Sequence, residues 1–356
     1  MNLDLPETYE QLDPASMRRL LRRFPHLCRE GWRVGRESKL PEGYRQVKGA
    51  LVAGMGASAI AGEMLSAFLA GQGELHIAVW RDYGLPPSLS ADTLVIVSSY
   101  SGDTEETLST LAAALERGLP TIALTGGGKL RDAAAAAKVP IVPIDVKAQP
   151  RSTLGYSLCA LLGLLQTAGL VSDHTVAMTE VIEELFGQVN DLDENALAAE
   201  NPAKQLAQEL EGKIPIIYGG GFLAPVARRW KTQFNENSKA WAFFEELPEA
   251  GHNAVVGFNF PPGSDEGVYV VMLYSPLLSE QTRRRLAIIA ELLDHSGVDH
   301  KTISGRGKST LVQQLTATLY GDYVSYYLAL LYETDPSPVA NIDYLKKRLA
   351  GQEPQR

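Results

Sequence analysis

Between residues 98 and 104 the chain reads S-S-Y-S-G-D-T, which gathers Ser98, Ser99, Ser101 and Thr104 around one glycine. Hydroxyls at this density are poor acids or bases but good hydrogen-bond donors. The run T-L-V-I-V at 93–97 comes before them, apolar and β-branched as a strand covered on both faces requires. Asp103, Thr104, Glu105 and Glu106 follow, with the short polar and acidic side chains favoured at a helix start. A strand that turns into a helix in this way aims free backbone N–H groups and the positive helix end at one point. A phosphate monoester suits that point. The plain alternative is an ordinary turn in which Ser and Thr serve as caps.

A second turn of this kind, A-G-M-G-A-S-A-I-A-G at 53–62, follows a short apolar run near Leu51. Read through Gly54, Gly56 and Ala59 it also satisfies the dinucleotide fingerprint, with Asp82 after the next strand where a ribose-binding acid would sit. An NAD(P)-dependent Rossmann enzyme is therefore a competing reading. The hydroxyl-rich turn weighs against it, because a dinucleotide site has no need of one. Two strand-turn-helix units, one carrying Gly56 and Ser58 and the other Ser99, Ser101 and Thr104, converge instead on a single phosphate.

These turns need a parallel sheet to present them. At 356 residues the chain exceeds one typical domain. Residues 1–48 form a helical extension, with Asp13 and Pro14 as N-cap and first helical residue and Arg18, Arg19, Arg22 and Arg23 as a solvated face. Strands near 51, 75–79, 93–97, 121–124 and 141–144 then alternate with helices, the rhythm of a doubly wound sheet over 49–150. A helical connection spans 151–211, with the polar stretch 190–201 between halves. The rhythm restarts over 212–305, where Gly219, Gly220 and Gly221 align with the first glycine turn and Ser275 with Ser99. A C-terminal helical segment, 306–356, completes the chain. The expected fold class is α/β, with two doubly wound parallel-sheet units, each three-layered αβα, and helical extensions at both ends. Only the first copy keeps its hydroxyls, so one phosphate site per chain is expected.

Net charge is -9, and no Lys/Arg block interleaves with aromatics, which argues against a nucleic-acid partner. Cys28 and Cys159 form no CxxC or Cys/His cluster, so neither a disulfide framework nor a thiolate zinc site is expected, and a reducing, cytoplasmic setting fits. The N-terminus has no basic segment followed by an apolar one. The apolar run 311–331 carries Gln313, Gln314, Gly321 and Asp322 and reads as a buried helix, not a membrane span.

The motifs G-M-G-A-S-A-I-A-G and S-S-Y-S-G-D-T-E-E-T resemble the two signatures of the sugar isomerase (SIS) domain. P-R-S-T-L-G-Y from Pro150, K-T-Q-F-N-E-N-S-K from Lys231, E-L-P-E-A-G-H-N from Glu246, and G-D-Y-V-S-Y-Y-L-A-L-L with D-P-S-P-V after it resemble the bifunctional phosphoglucose/phosphomannose isomerase family. The resemblance runs from about residue 13 to residue 349. It implies two SIS subdomains and an isomerase, free of metal and cofactor, that converts glucose 6-phosphate and mannose 6-phosphate to fructose 6-phosphate through a cis-enediol.

Such chemistry needs a base to move a proton between C1 and C2, an acid to open the ring, and a cation near the enediolate oxygens. The resemblance assigns the base to Glu236. It lies two positions from Phe234, about 200° round a helix and so away from the apolar stripe. Burial in a sugar-filled pocket would raise its pKa toward neutrality, and Asn235 and Asn237 could orient it. Without the resemblance, a solvated helix-end carboxylate is the simpler reading. His252 is the implied ring-opening acid, reaching the site of a neighbouring subunit in similar isomerases, which implies a homodimer. Arg151 is implied as the always-charged stabiliser. Lys346 is implied as a second ring-opening group and Ser337 as a substrate contact. The bland readings are a loop histidine, a surface arginine and an exposed lysine on an amphipathic last helix. Asp103 stands where the family often has Asn, and would weaken phosphate binding if it faced the ligand. A non-catalytic SIS regulator that only senses a sugar phosphate is the remaining alternative, and it would need none of Glu236, His252 and Arg151.

Overall fold

The computed structural model describes residues 1–349 and 351; the last stretch of the expected C-terminal segment, 352–356, lies outside the described residues. Helices α1 (Pro6–Leu12), α2 (Met17–Arg22) and α3 (Phe24–Glu37) precede the first strand. The chain then alternates β1 (Gly49–Ala53), α4 (Gly56–Gln72), β2 (His76–Trp80), β3 (Thr93–Ser99), α5 (Glu105–Glu116), β4 (Thr121–Thr125), α6 (Gly128–Ala136) and β5 (Ile141–Pro143). Helices α7 (Leu154–Thr167), α8 (Thr175–Leu192) and α9 (Pro202–Leu210) lead to the second half. There β6 (Ile214–Gly220), α10 (Ala224–Glu236), β7 (Phe243–Leu247), the single turn α11 (Ser264–Gly267), β8 (Val268–Tyr274), α12 (Glu280–His295) and β9 (His300–Ser304) follow, with α13 (Thr310–Leu331) and α14 (Ala340–Leu349) last.

Two parallel sheets result, with orders β2-β1-β3-β4-β5 and β7-β6-β8-β9. Each half places its second strand beside its first and its third on the other side. The duplication suggested by the glycine turns is therefore repeated in the strand order. The direction of winding reverses between β1 and β3, and again between β6 and β8, which opens a crevice at the carboxyl ends of those strands. Both hydroxyl-bearing turns of the first half emerge at that reversal. Strand β3 is buried at every residue, as its unbroken apolar run requires.

Helix α13 threads the centre, with every residue from Leu311 to Leu331 buried. Among the described residues no helix is long and apolar enough to cross a membrane. Trp230 of α10 packs on it, donating its indole N–H to the Ala317 carbonyl at 2.8 Å. Helices α3 and α7 cross so closely that a Cβ on Gly35 would lie 2.1 Å from the Ala160 carbonyl oxygen, so only glycine fits there. Nearer the start of α7, Gly31 approaches the Tyr156 backbone in the same way, and the turn just before α7 carries Arg151.

The N-terminal extension departs from expectation in two places. Ser16, not Asp13, occupies the N-cap position of α2. Asp13 instead reaches over the turn, and its carboxylate accepts from the N–H groups of Met17 (2.6 Å) and Arg18 (3.0 Å). Nor are all four arginines a solvated face. Arg18 and Arg22 approach the Glu194 carboxylate at 3.7 and 3.3 Å, tying the extension to the loop between α8 and α9.

Candidate active site

The hydroxyl-rich turn closes on itself. The Ser99 hydroxyl accepts the Gly102 N–H at 3.1 Å and shares a hydrogen bond with the Thr104 hydroxyl at 3.0 Å. Ser101 accepts the Asp103 N–H at 3.3 Å. Gly102 has φ 74°, and a Cβ there would lie 1.8 Å from the Gly127 carbonyl oxygen, so the turn requires glycine on both counts. Thr104 holds the N-cap position of α5 without capping it, and Met55 does the same for α4. Two helix N-termini are thus left uncapped by side chains at the strand reversal, with Gly56 and Ser58 in the first turn of one and Thr104 before the other. That arrangement suits an anion. Asp103 does not oppose it, because its carboxylate accepts the Lys129 N–H at 3.2 Å and so faces α6. Asp82, the ribose-acid candidate of the competing reading, accepts the N–H of its neighbour Tyr83 at 2.8 Å.

This turn is tethered to the segment bearing Arg151. The Tyr100 hydroxyl donates to the Val146 carbonyl at 2.7 Å and accepts the Ala148 N–H at 3.1 Å. Arg151 follows in the Pro150–Thr153 turn, which packs against α4, and is buried. Its Nε donates to Asn237 Oδ1 at 2.8 Å, and one Nη donates to the carbonyls of Pro336 and Ser337, each at 2.8 Å. The other Nη faces Glu236 Oε2 at 3.6 Å. Glu236 ends α10, keeping a quarter of its side chain exposed while Trp230 and Phe234 are buried, which matches the helix-face reasoning.

Sequence reasoning missed what lies beneath. Arg229 donates to both carboxylate oxygens of Asp322, at 3.0 and 2.8 Å, and to the Arg151 carbonyl at 2.8 Å. Burial raises the Asp322 pKa and Arg229 opposes that rise. Burial lowers the Arg151 pKa; Glu236 acts against this, while neighbouring Arg229 adds to it. Asn237 links the layers, donating to the Ser325 hydroxyl at 3.0 Å. The flanking amides therefore do not orient Glu236 as expected. Asn237 holds Arg151, and Asn235 donates to the Ala240 carbonyl at 2.9 Å.

A cleft of about 830 Å³ opens on the exposed side of Glu236, walled by Lys231, Lys239, Trp241, Asp335 and Ile342 among others. The remaining expected residues are not all drawn in. Ser337 offers its carbonyl to Arg151, while its hydroxyl oxygen is buried without a partner among the described residues. His252 is exposed at the end of a single turn (Glu249–His252) whose Ala250 is buried, and it does not line the cleft. Lys346 is exposed on α14, whose first turn alone reaches the cleft wall.

Residues 43–149 match the SIS domain, and residues 199–349 match the bacterial phospho-glucose isomerase C-terminal SIS domain. A bifunctional phosphoglucose/phosphomannose isomerase of Caldicellulosiruptor bescii is 37% identical over 334 residues, covering 92% of this chain and 97% of that one. Its counterpart from Aquifex aeolicus is 36% identical over 303 residues, covering 85% and 90%. A glucose-6-phosphate isomerase like protein from Thermus thermophilus superposes with a TM-score of 0.64 at 20% identity, over 98% of this chain and 99% of that one, and so shares the fold.

Proposed function

The chain belongs to the bifunctional phosphoglucose/phosphomannose isomerase family, and on that premise we propose that it interconverts glucose 6-phosphate and mannose 6-phosphate with fructose 6-phosphate, with Glu236 as the base. The phosphate sits on Gly56, Ser58, Ser99, Ser101 and Thr104. His252, supplied across a homodimer interface, opens the ring with help from Lys346. Glu236 takes the C2 proton of the open aldose; the C2–H electron pair becomes the C1–C2 double bond, and the C1 oxygen takes the negative charge. Arg151, positive throughout, stabilises that enediolate without competing for the proton. Return of the proton from Glu236 to C1, with transfer of the C2 hydroxyl proton to the C1 oxygen, gives the neutral ketose. Both epimers yield the same enediolate, so one base serves both.

The observation that carries this reading is the Arg151 guanidinium 3.6 Å from the Glu236 carboxylate, a cation fixed beside the carboxylate proposed as base. The exposure of His252 suits delivery to a second copy. Two free buried thiols, Cys28 and Cys159, suit a reducing cytoplasm. The test is a coupled assay with fructose 6-phosphate in EDTA that detects the two aldose phosphates separately. Formation of both supports the proposal. No turnover with tight fructose 6-phosphate binding would make the protein a sugar-phosphate sensor.

A further inference from the structure

Lys239 stands three residues after Glu236, in the loop between α10 and β7. It takes φ 56°, a left-handed conformation uncommon for a side chain with a Cβ. The residue is exposed overall, yet its ammonium is held against backbone carbonyls. Its Nζ donates to the carbonyls of Glu236 (2.7 Å), Asn237 (3.1 Å) and Pro336 (3.0 Å). Two of these belong to the end of α10, where carbonyls lack helical partners and a cation is favoured. The third is the Pro336 carbonyl that also receives Arg151 at 2.8 Å. One ammonium therefore bridges the segment carrying the base and the segment that fixes the arginine.

We propose that Lys239 is a positioning residue of the isomerisation, whose three-carbonyl clamp sets the separation of Glu236 from Arg151. The inference rests on the reading of Glu236 as the base. It needs no contact between Lys239 and the sugar. A neutral amine has two N–H groups for three carbonyls and no charge to hold them, so the clamp loosens on deprotonation. The charged groups around it are Arg151, Asp335 and Glu236, with Lys231 also lining the cleft. Burial first, then Arg151, lowers the Lys239 pKa to about 8, against the opposing pull of Asp335 and Glu236. The clamp thus releases within the working range of an enzyme.

The test compares wild type, Lys239→Met, Lys239→Arg and Glu236→Gln in kcat and KM for fructose 6-phosphate from about pH 6 to about pH 9.5. Misplacing a reacting group by an ångström can lower rates about 100-fold, so Lys239→Met should lose roughly 10- to 100-fold in kcat with KM within about twofold. Wild type should show an alkaline limb in kcat near pH 8. Lys239→Met should lack it, and Lys239→Arg should recover most of kcat and carry no limb in the range, since arginine stays charged. Wild-type kcat in Lys239→Met, a loss confined to KM, or an unchanged alkaline limb in either variant overturns the clamp. Should Lys239→Met not fold, the limb in Lys239→Arg decides alone. Active wild type with an indifferent Lys239→Met rejects only the clamp, whereas inactive wild type rejects the isomerase reading and the clamp with it.

Discussion

Nη1 of Arg151 lies 3.6 Å from Oε2 of Glu236, although one residue follows the first sheet and the other ends a helix of the second half. The arginine is immobilised on its other edges by Asn237, Pro336 and Ser337, so its free edge has one direction to face. Lysine cannot reproduce this fork. Arg151→Lys is expected to lower kcat by about 100-fold or more while KM moves by only a few-fold, because the turn proposed to hold the phosphate is separate. Steady-state kinetics on fructose 6-phosphate measure both.

The cradle makes the complementary prediction. Thr104→Val keeps the shape but removes the hydroxyl paired with Ser99, and is expected to raise KM about 10-fold with a smaller effect on kcat. Gly102→Ala meets the Gly127 carbonyl at 1.8 Å and is forced out of its φ of 74°. It should lower both sugar-phosphate affinity and Tm, read by calorimetry with and without fructose 6-phosphate.

Asp322→Ala leaves the Arg229 guanidinium buried and without its carboxylate. Removing one partner of such a pair destabilises by about 3–5 kcal/mol, to be measured by urea unfolding. Activity should fall as well, since Arg229 also holds the Arg151 backbone.

Stability and activity should move in opposite directions with alkali at Lys239. The folded protein holds that proton with a pKa of about 8, below the ordinary 10.5. Between those values the unfolded chain binds more protons, so this group favours the folded state as pH rises. The gain is small because the residue is exposed. The Tm of wild type should rise relative to Lys239→Met above about pH 8 while wild-type kcat falls.

The rhythm of the fold was legible because parallel strands covered on both faces must read as unbroken apolar runs, and β3 does so from Thr93 to its hydroxyl end. The hydroxyl-rich turn was legible for a similar reason: Ser99, Gly102 and Thr104 interact within one turn. Glu236 and Arg151 could be named from the family resemblance alone, since nothing local distinguishes a helix-end glutamate from a solvated one. The Arg229–Asp322 pair, the grip of Asn237 on Arg151 and the reach of Lys239 to Pro336 depend on how α10 meets α13 and the loop after it. Contacts between such distant segments leave no periodicity in the sequence. Lys239 had one local sign, its place three residues beyond Glu236 in N-E-N-S-K.

If His252 is delivered across a dimer interface, two inactive variants should rescue one another. Glu236→Gln and His252→Ala, mixed by denaturation and refolding, would form heterodimers with one intact site each. Recovery to about a quarter of wild-type activity is expected for random pairing. Absence of recovery would place the histidine in its own subunit or outside the reaction.

The proton transfer itself is tested most directly by Glu236→Gln, assayed for turnover of fructose 6-phosphate in deuterated water alongside equilibrium binding of the same sugar. A fall in turnover of about 1,000-fold or more, loss of deuterium incorporation at C2 of the aldose product, and affinity within a few-fold of wild type are the expected results. Turnover and deuterium incorporation equal to wild type would show that another group moves the proton.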